Sequence, residues 1–314
     1  MNKTTIIMGG QFGSEGKGEF TAWYSKKYYY DLVIRTGGPN AGHTMTIDSK
    51  SYRMRQVPCA WHTNSKLALG PGSVIDLSVL QKEIEYIDIN RNGFLIIDRN
   101  ASIITLSDIK YERNDITLNN ISSTCTGTGS AKANKILRIG SVAKGLSADK
   151  IKIVDLSKEI NNKDILIEST QGFGLSLNYS GFYPYVTSSD IIPTQILADA
   201  GIANCKDYEV IGVMRTFPIR VAGNSGPLKN EITFGLIGQK PEYTTVTNKI
   251  RRIGEWDTEL ANNFGLICKP DAICLTFLDY LDSKNVFSAI KKVEHDVNTP
   301  VKWVSTGPGK IEEI

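Results

Sequence analysis

The chain has 314 residues, with 36 Lys and Arg against 33 Asp and Glu for a net charge of +3. It is long enough to bury about three quarters of its unfolded surface without metal or disulfide, and any basic site must be local rather than a nucleic-acid footprint. No apolar run approaches the ~18 residues of a membrane span, the N terminus shows no export signal, and five cysteines without C-x-x-C spacing (Cys59, Cys125, Cys205, Cys268, Cys274) suit a reducing cytoplasm and read as buried small hydrophobes rather than a zinc site.

Thr4–Met8 reads as a strand that enters the loop Gly9-Gly10-Gln11-Phe12-Gly13-Ser14-Glu15-Gly16-Lys17-Gly18-Glu19. Glycines let successive backbone N–H groups turn toward an anion, and a following helix adds its positive end, so the loop is a candidate phosphate cradle with one lysine. It is not a Walker A sequence, which needs glycine at Gln11 and a hydroxyl at Gly18. Taken alone it also fits an ordinary turn. The next apolar run, Leu32–Ile34, leaves through Arg35-Thr36-Gly37-Gly38-Pro39-Asn40-Ala41-Gly42-His43-Thr44, so two glycine loops can face one nucleotide. Lys66–Leu69 reads as a strand, Asp76–Ile84 as an amphipathic helix opened by an Asp cap with its apolar face in the core, and Phe94–Ile97 as another strand. Asn119-Asn120 and Asn161-Asn162 look like turns, and Lys132, Lys135 and Arg138 recur at helical spacing. Ile165–Ile167, Val210–Met214 and Ala272–Leu275 complete the strand candidates. Alternation of strands with helical patterns predicts an α/β fold with a largely parallel central sheet, and ligands of such sheets gather at the carboxyl ends of strands. Residues 1–314 read as a single domain with inserted helical and loop subregions, because no linker, repeat or composition break stands out.

The loops GGQFGSEGKGE and RTGGPNAGHT resemble the GxQWGDEGKGK and RxxGGxNAGHT signatures of the adenylosuccinate synthetase family. Further motifs follow in the family's order: Thr124–Gly140 resembles TGxGIGPAYxDKxxRxG, Glu168–Gly172 resembles EGAQG, and Tyr183–Ser189 resembles YPFVTSS. Val246–Gly254 is a degraded TTGRxRRxG, Leu275–Asp282 stands for LTKLDVLD, and Ser305–Pro308 for STGP. The resemblance implies a P-loop-NTPase-like fold and a carbon–nitrogen ligase. Such an enzyme phosphorylates the 6-oxygen of a purine nucleotide, a poor leaving group, and then lets the amine of L-aspartate displace phosphate.

By this resemblance the catalytic residues are Ser14, Lys17, His43 and Gln171. The nucleoside triphosphate is held by Gly13 to Glu19 (Gly13, Ser14, Glu15, Gly16, Lys17, Gly18, Glu19), by Gly42, His43 and Thr44, and by Arg251, Asp279, Ser305 and Gly307. Lys17 offsets charge that builds up in transfer, and His43 donates a hydrogen bond or proton to the 6-oxygen; its two fellows, His62 and His295, read as structural. Mg²⁺ takes Ser14 and the Gly42 carbonyl as oxygen ligands. The monophosphate pocket uses Ser14, Asn40, Thr124, Arg138, Gln171 and Thr187, with Arg138 arriving from the other subunit of a homodimer; Arg138 also fits a surface helix position. Val246, Thr247, Lys249 and Arg252 face the aspartate carboxylates in a loop that Arg251 shares, and Lys249 stands where the family has arginine, losing a bidentate fork.

Two departures carry the substrate reading. Ser14 replaces the family's aspartate, which takes the purine N1 proton and binds Mg²⁺; a serine offers only a neutral hydroxyl. A smaller, uncharged side chain makes room for the 2-amino group of guanine, so the chain is similar to the viral, PurZ-type branch that joins aspartate to dGMP on the way to 2-aminoadenine for phage DNA. Phe277 replaces the lysine that donates to the guanine O6 of GTP and brings an apolar face instead. ATP or dATP is therefore the expected phosphoryl donor, with GTP still open through Asp279. The alternatives are an ordinary GTP-dependent enzyme acting on IMP, a nucleotide kinase that needs no aspartate, and an inactive nucleotide-binding regulator. Location in the cytoplasm, that of the host if the gene is viral, is expected, with small-molecule partners and neither nucleic acid nor membrane.

Overall fold

The computed structural model describes residues 3–87, 89, 93–203, 207–244 and 248–314. Every run read above as a strand joins one ten-stranded sheet. From edge to edge its strands are Ile311–Glu313, Val301–Ser305, Ala272–Thr276, Glu209–Arg215, Thr4–Gly9, Ile165–Gly172, Leu32–Arg35, Lys66–Leu69, Leu95–Asp98 and Ile151–Val154. All neighbours run parallel except Ile311–Glu313, which lies antiparallel on Val301–Ser305. Sequence reading missed Ile151–Val154, Val301–Ser305 and Ile311–Glu313, which interleave Lys or Glu with apolar residues and lie at or beside the sheet's edges, where one flank needs no apolar partner.

A parallel sheet must bury both faces, and successive side chains alternate between them. Ile7, Val33, Leu67, Leu69, Leu95 and Ile97 join one core, together with Phe20 and Tyr24 of the helix Lys17–Lys27 and Leu80 and Ile84 of the helix Leu77–Tyr86. Ile6, Met8, Leu32, Ile34 and Ile96 face the opposite core, against Ile196 of the helix Pro193–Asp199, Phe264 of Thr258–Cys268 and Val297 of Ser283–Val297. The expected Asp cap is present: the Asp76 side chain accepts from the N–H groups of Ser78 and Val79. Cys59, Cys125, Cys268 and Cys274 are buried free thiols, and Cys205 lies outside the described residues.

Two insertions decorate the ligand side. Helices Leu106–Asn114, Ile116–Asn120 and Thr128–Ile136 come between Leu95–Asp98 and Ile151–Val154. A three-stranded antiparallel sheet of Ile219–Arg220, Arg252–Gly254 and Glu231–Ile232 comes between Glu209–Arg215 and Ala272–Thr276. Among the described residues no helix is long and apolar enough to cross a membrane.

Candidate active site

The first glycine loop leaves the central strand Thr4–Gly9 and turns through left-handed backbone at Gly13 (φ 89°), Ser14 (φ 58°) and Gly16 (φ 87°) before the helix Lys17–Lys27 begins. Its interior is filled by the fully buried Glu15 carboxylate, which accepts from the Gly13 N–H at 2.7 Å, the Gln11 N–H at 3.2 Å and Lys17 Nζ at 2.6 Å. Gly9 and Gly172 are glycines for this reason: a Cβ at Gly172 would stand 2.4 Å from Glu15 Oε1, and one at Gly9 would stand 2.7 Å from Glu15 Oε2. Lys17 is thus buried and paired at rest. A Cβ at Gly18 would lie 2.6 Å from His43 Cβ, so Gly18 lets the helix start press against the second loop.

That second loop leaves Leu32–Arg35 and returns as the strand His43–Ile47. Arg35 NH1 donates to Glu168 Oε1 at 2.6 Å and lies 3.1 Å from His43 Nδ1; His43 Nδ1 is 2.5 Å from Glu168 Oε1, and Glu168 Oε2 accepts from the Cys59 N–H at 2.7 Å. Burial and the adjacent Arg35 hold His43 down at about 4 from its ordinary 6.5. Burial would raise Glu168, but Arg35 and His43 outweigh it and hold the carboxyl at about 2. The imidazole is therefore neutral near pH 7 with its Nδ1 proton donated to Glu168, which leaves Nε2 as the atom free for a ligand. His43, Cys59 and Glu168 come within 4.8 Å of one another as metal ligands would. Arg35 already occupies that space as the counter-cation, and buried Cys59 has its thiol pushed well above the ordinary value, first by burial and then by Glu168.

Between the loops, at the carboxyl ends of the strands, opens a cleft of about 220 Å³. Gly13, Ser14, Lys17, Asn40, Gly42, His43, Thr124 and Gln171 line it, with Lys249 and Arg251 on the far wall. Thr187 lines a small adjoining recess that shares Asn40 and Gln171 with the cleft. Other expected residues lie elsewhere. Glu15 sits beneath the loop, and Glu19 faces the outer side of the helix, where it accepts from the Thr46 N–H at 3.2 Å. Thr44 points away from His43 to solvent along its strand. Asp279 is exposed beside Gly307, whose carbonyl accepts from Ser305 Oγ at 3.2 Å. Arg252 is committed to Glu231 through Nε at 2.9 Å and NH2 at 2.6 Å. Arg138 lies beyond the helix Thr128–Ile136, exposed at φ 66°, while Lys132 and Lys135 turn inward to Ser189 and Pro71. Val246 and Thr247 fall outside the described residues.

Sequence reasoning assigned no role to Arg35, Glu168 or Arg215. Each is a charged residue closing or interrupting an apolar strand on its ligand side, and that was the available signal. A larger open groove of about 950 Å³ lies at the opposite, amino end of the central strands Thr4–Gly9 and Glu209–Arg215, where Lys3 pairs with Glu209 and Asp271 accepts from the Val210 N–H. It holds none of the expected site residues.

Residues 6–152 and 144–287 match the family model described as adenylosuccinate synthetase. The chain belongs to the adenylosuccinate synthetase family. It is 39% identical to the adenylosuccinate synthetase of Methanocaldococcus jannaschii, an alignment covering 99% of this chain and 96% of the relative. The Pyrococcus horikoshii adenylosuccinate synthetase is 34% identical over 99% of this chain and 97% of the relative. Among solved structures, the cyanophage S-2L succinoaminodeoxyadenylate synthetase (PurZ), bound to dGMP and to dATP as an energy donor, superposes with a TM-score of 0.87 at 27% identity, covering 100% of this chain and 95% of that one. The fully ligated Plasmodium falciparum adenylosuccinate synthetase gives a TM-score of 0.89 at 23% identity, covering 99% of each, a likeness of fold. As a family member the chain is a carbon–nitrogen ligase that joins aspartate to a purine nucleotide, using a nucleoside triphosphate and Mg²⁺. The cleft suits that cation: Ser14 and Gly42 both line it and offer neutral oxygen donors, which leaves phosphate oxygens to complete a hard-cation shell.

Proposed function

We propose that this ligase joins L-aspartate to the 6-position of dGMP, with ATP or dATP as phosphoryl donor, to give N6-succino-2-amino-2'-deoxyadenylate. The observation that carries the reading is Ser14, a hydroxyl in place of a carboxylate, lining the same cleft as Asn40, Thr124 and Gln171. A neutral side chain of this size accommodates the 2-amino group and offers it an acceptor. The similarity to the cyanophage enzyme that holds dGMP and dATP supports it. The chemistry runs in two steps. The purine 6-oxygen attacks the γ-phosphoryl group, the nucleoside diphosphate leaves and the N1 proton passes to solvent; Lys17 exchanges Glu15 for phosphate oxygens, and His43, oriented by Glu168, donates through Nε2 with a proton taken up from solvent once the incoming phosphate charge raises its proton affinity. Bound Mg²⁺ supplies charge neutralisation along the polyphosphate. The aspartate amine then attacks C6 and phosphate leaves, with Lys249 and Arg251 on the wall that meets the carboxylates.

The donor preference rests on Phe277, which has no hydrogen-bond donor for a 6-oxo purine. Its left-handed backbone (φ 59°) is pinned by Thr216 Oγ1 donating to its carbonyl at 2.8 Å; Arg215 covers one ring face at 3.7 Å and the Tyr280 ring packs in a T-shape 5.1 Å away, so the ring has at most one face to offer a base. A homodimer in which Arg138 crosses to the neighbouring site fits the exposure of the apolar residues around it, Ile136 at 78%, Leu137 at 64% and Ile139 at 74%. The 39% identity to an archaeal adenylosuccinate synthetase favours a second reading, IMP with GTP.

Turnover of purified protein with dGMP or IMP, each with aspartate, Mg²⁺ and ATP, dATP or GTP, and products read by mass spectrometry, separates the two. The expected result is succinylated product from dGMP at least about tenfold faster than from IMP; faster turnover of IMP sinks the substrate assignment. Ser14→Asp tests the residue itself, because aspartate tolerates the left-handed backbone at this position. The variant should shift preference toward IMP, and unchanged dGMP turnover would show that Ser14 does not read the base.

A further inference from the structure

The loop that carries Ser14, the carboxylate of Glu242 and the corner Phe277–Tyr280 are far apart in sequence, yet one guanidinium touches all three. Arg215 ends the strand Glu209–Arg215, between Thr4–Gly9 and Ala272–Thr276, and its side chain is fully buried. The Gln11 side chain fixes its backbone from both sides, accepting from the Arg215 N–H at 2.9 Å and donating to its carbonyl at 3.0 Å. NH1 donates to the Ser14 carbonyl at 3.2 Å and to Glu242 Oε2 at 3.2 Å, while NH2 binds Glu242 Oε1. The flat face of the group lies 3.7 Å from the Phe277 ring centre, and Tyr280 OH closes the circuit to Glu242 Oε1 at 3.0 Å. Glu242 passes the constraint on, since its carbonyl accepts from the Arg251 N–H at 2.9 Å at the root of the wall that carries Lys249 and Arg251.

We infer that Arg215 is a positioning residue that couples the triphosphate's base subsite to the aspartate wall and to the Ser14 turn. The inference rests on the ligase reading above and deepens it. A base settling against Phe277 and Asp279 presses on a ring that Arg215 already clamps, and the same guanidinium sets the height of Glu242 and of the Ser14 carbonyl. Lysine at this position keeps the positive charge but cannot form the two-pronged pair, the carbonyl contact and the stack together.

Calorimetric titration of L-aspartate with and without saturating β,γ-methylene-ATP, in the presence of dGMP and Mg²⁺, measures the coupling. The analogue should tighten aspartate by about tenfold in the unmodified protein, and aspartate should tighten the analogue by the same factor. In Arg215→Lys the factor should fall to about twofold or less, while each ligand alone binds within about threefold of the parent. A merely structural role would weaken both ligands and leave the factor unchanged. Should Arg215→Lys fail to fold, Glu242→Gln leaves Arg215 and Phe277 in place but breaks the two-pronged pair, and it should lower the same factor. An undiminished factor in the variant that folds, or no coupling in the unmodified protein with either dGMP or IMP, overturns the inference. Repeating the titration with IMP in place of dGMP keeps it apart from the substrate assignment: coupling seen only with IMP removes dGMP and leaves the role of Arg215 standing.

Discussion

Replacing Glu168 by glutamine should remove a large part of the protein's stability although it changes almost no volume. The parent carboxylate is fully buried and takes three N–H groups, from Arg35 and His43 on Oε1 and from Cys59 on Oε2. An amide has one accepting oxygen and one donating NH2. Whichever way it faces, at least one buried N–H meets another donor, which costs about 1–3 kcal/mol, and the buried Arg35 loses its counter-charge, which brings the loss to about 3–5 kcal/mol. Against a total of about 5–15 kcal/mol, that is enough to move a urea midpoint clearly, read by circular dichroism and tryptophan fluorescence together. The double variant Arg35→Met/Glu168→Gln should recover about half of the loss, because no orphaned charge remains inside. A loss below about 1 kcal/mol, or strict additivity in the double variant, would refute the view that the four groups form one charge-balanced cluster.

Two further expectations follow from the same geometry. His43 titrates in the folded protein at about 4 against 6.5 in the free side chain; between those values the unfolded chain takes up a proton that the native one refuses, so stability present above pH 6.5 should fall on acidification by up to about 3 kcal/mol. Glu168, held at about 2 against 4.5, extends the loss below pH 4.5 in the same direction, and a urea midpoint constant from pH 7 to 4 would contradict both. Gly172→Ala should displace Glu15, since the added Cβ falls 2.4 Å from its Oε1 and 2.5 Å from the Gln11 carbonyl with no backbone penalty at φ −143°. Triphosphate affinity should drop by about tenfold with a stability cost of about 1–3 kcal/mol, whereas Gly145→Ala, with nothing within 4 Å and φ 87°, should cost only backbone strain of about 1 kcal/mol; equal outcomes for the two would show that contact with Glu15 is irrelevant.

The centre of the sheet was legible because Thr4–Met8, Leu32–Ile34 and Ile165–Ile167 are short apolar runs that end in glycine or polar motifs, the pattern of strands buried on both sides. The two glycine loops were legible for the same reason, and the cleft gathers Ser14, Lys17, Asn40, His43 and Gln171 from them and from the end of Ile165–Gly172. Pairing was hidden. Lys17 reads as a cation waiting for phosphate, but the left-handed turn at Gly16 brings it onto Glu15 two residues earlier, which spacing alone does not announce. Arg252 opens the strand Arg252–Gly254 and is committed to Glu231, while Arg251 just before the strand reaches the cleft. Glu168 and Arg35 meet across 133 positions, a partnership that only the neighbouring strand order creates.

The carboxylate folded under the first loop gives the resting protein a built-in placeholder. Lys17 and Glu15 cancel one another, so a stray sulfate or free phosphate arriving there finds little net attraction and must break a buried bond to stay. A polyphosphate chain, long enough to engage the helix start and both loops at once, gathers sufficient new contacts to displace that internal anion. On the function proposed above, the scaffold would tell a triphosphate from its breakdown fragments before any base is read.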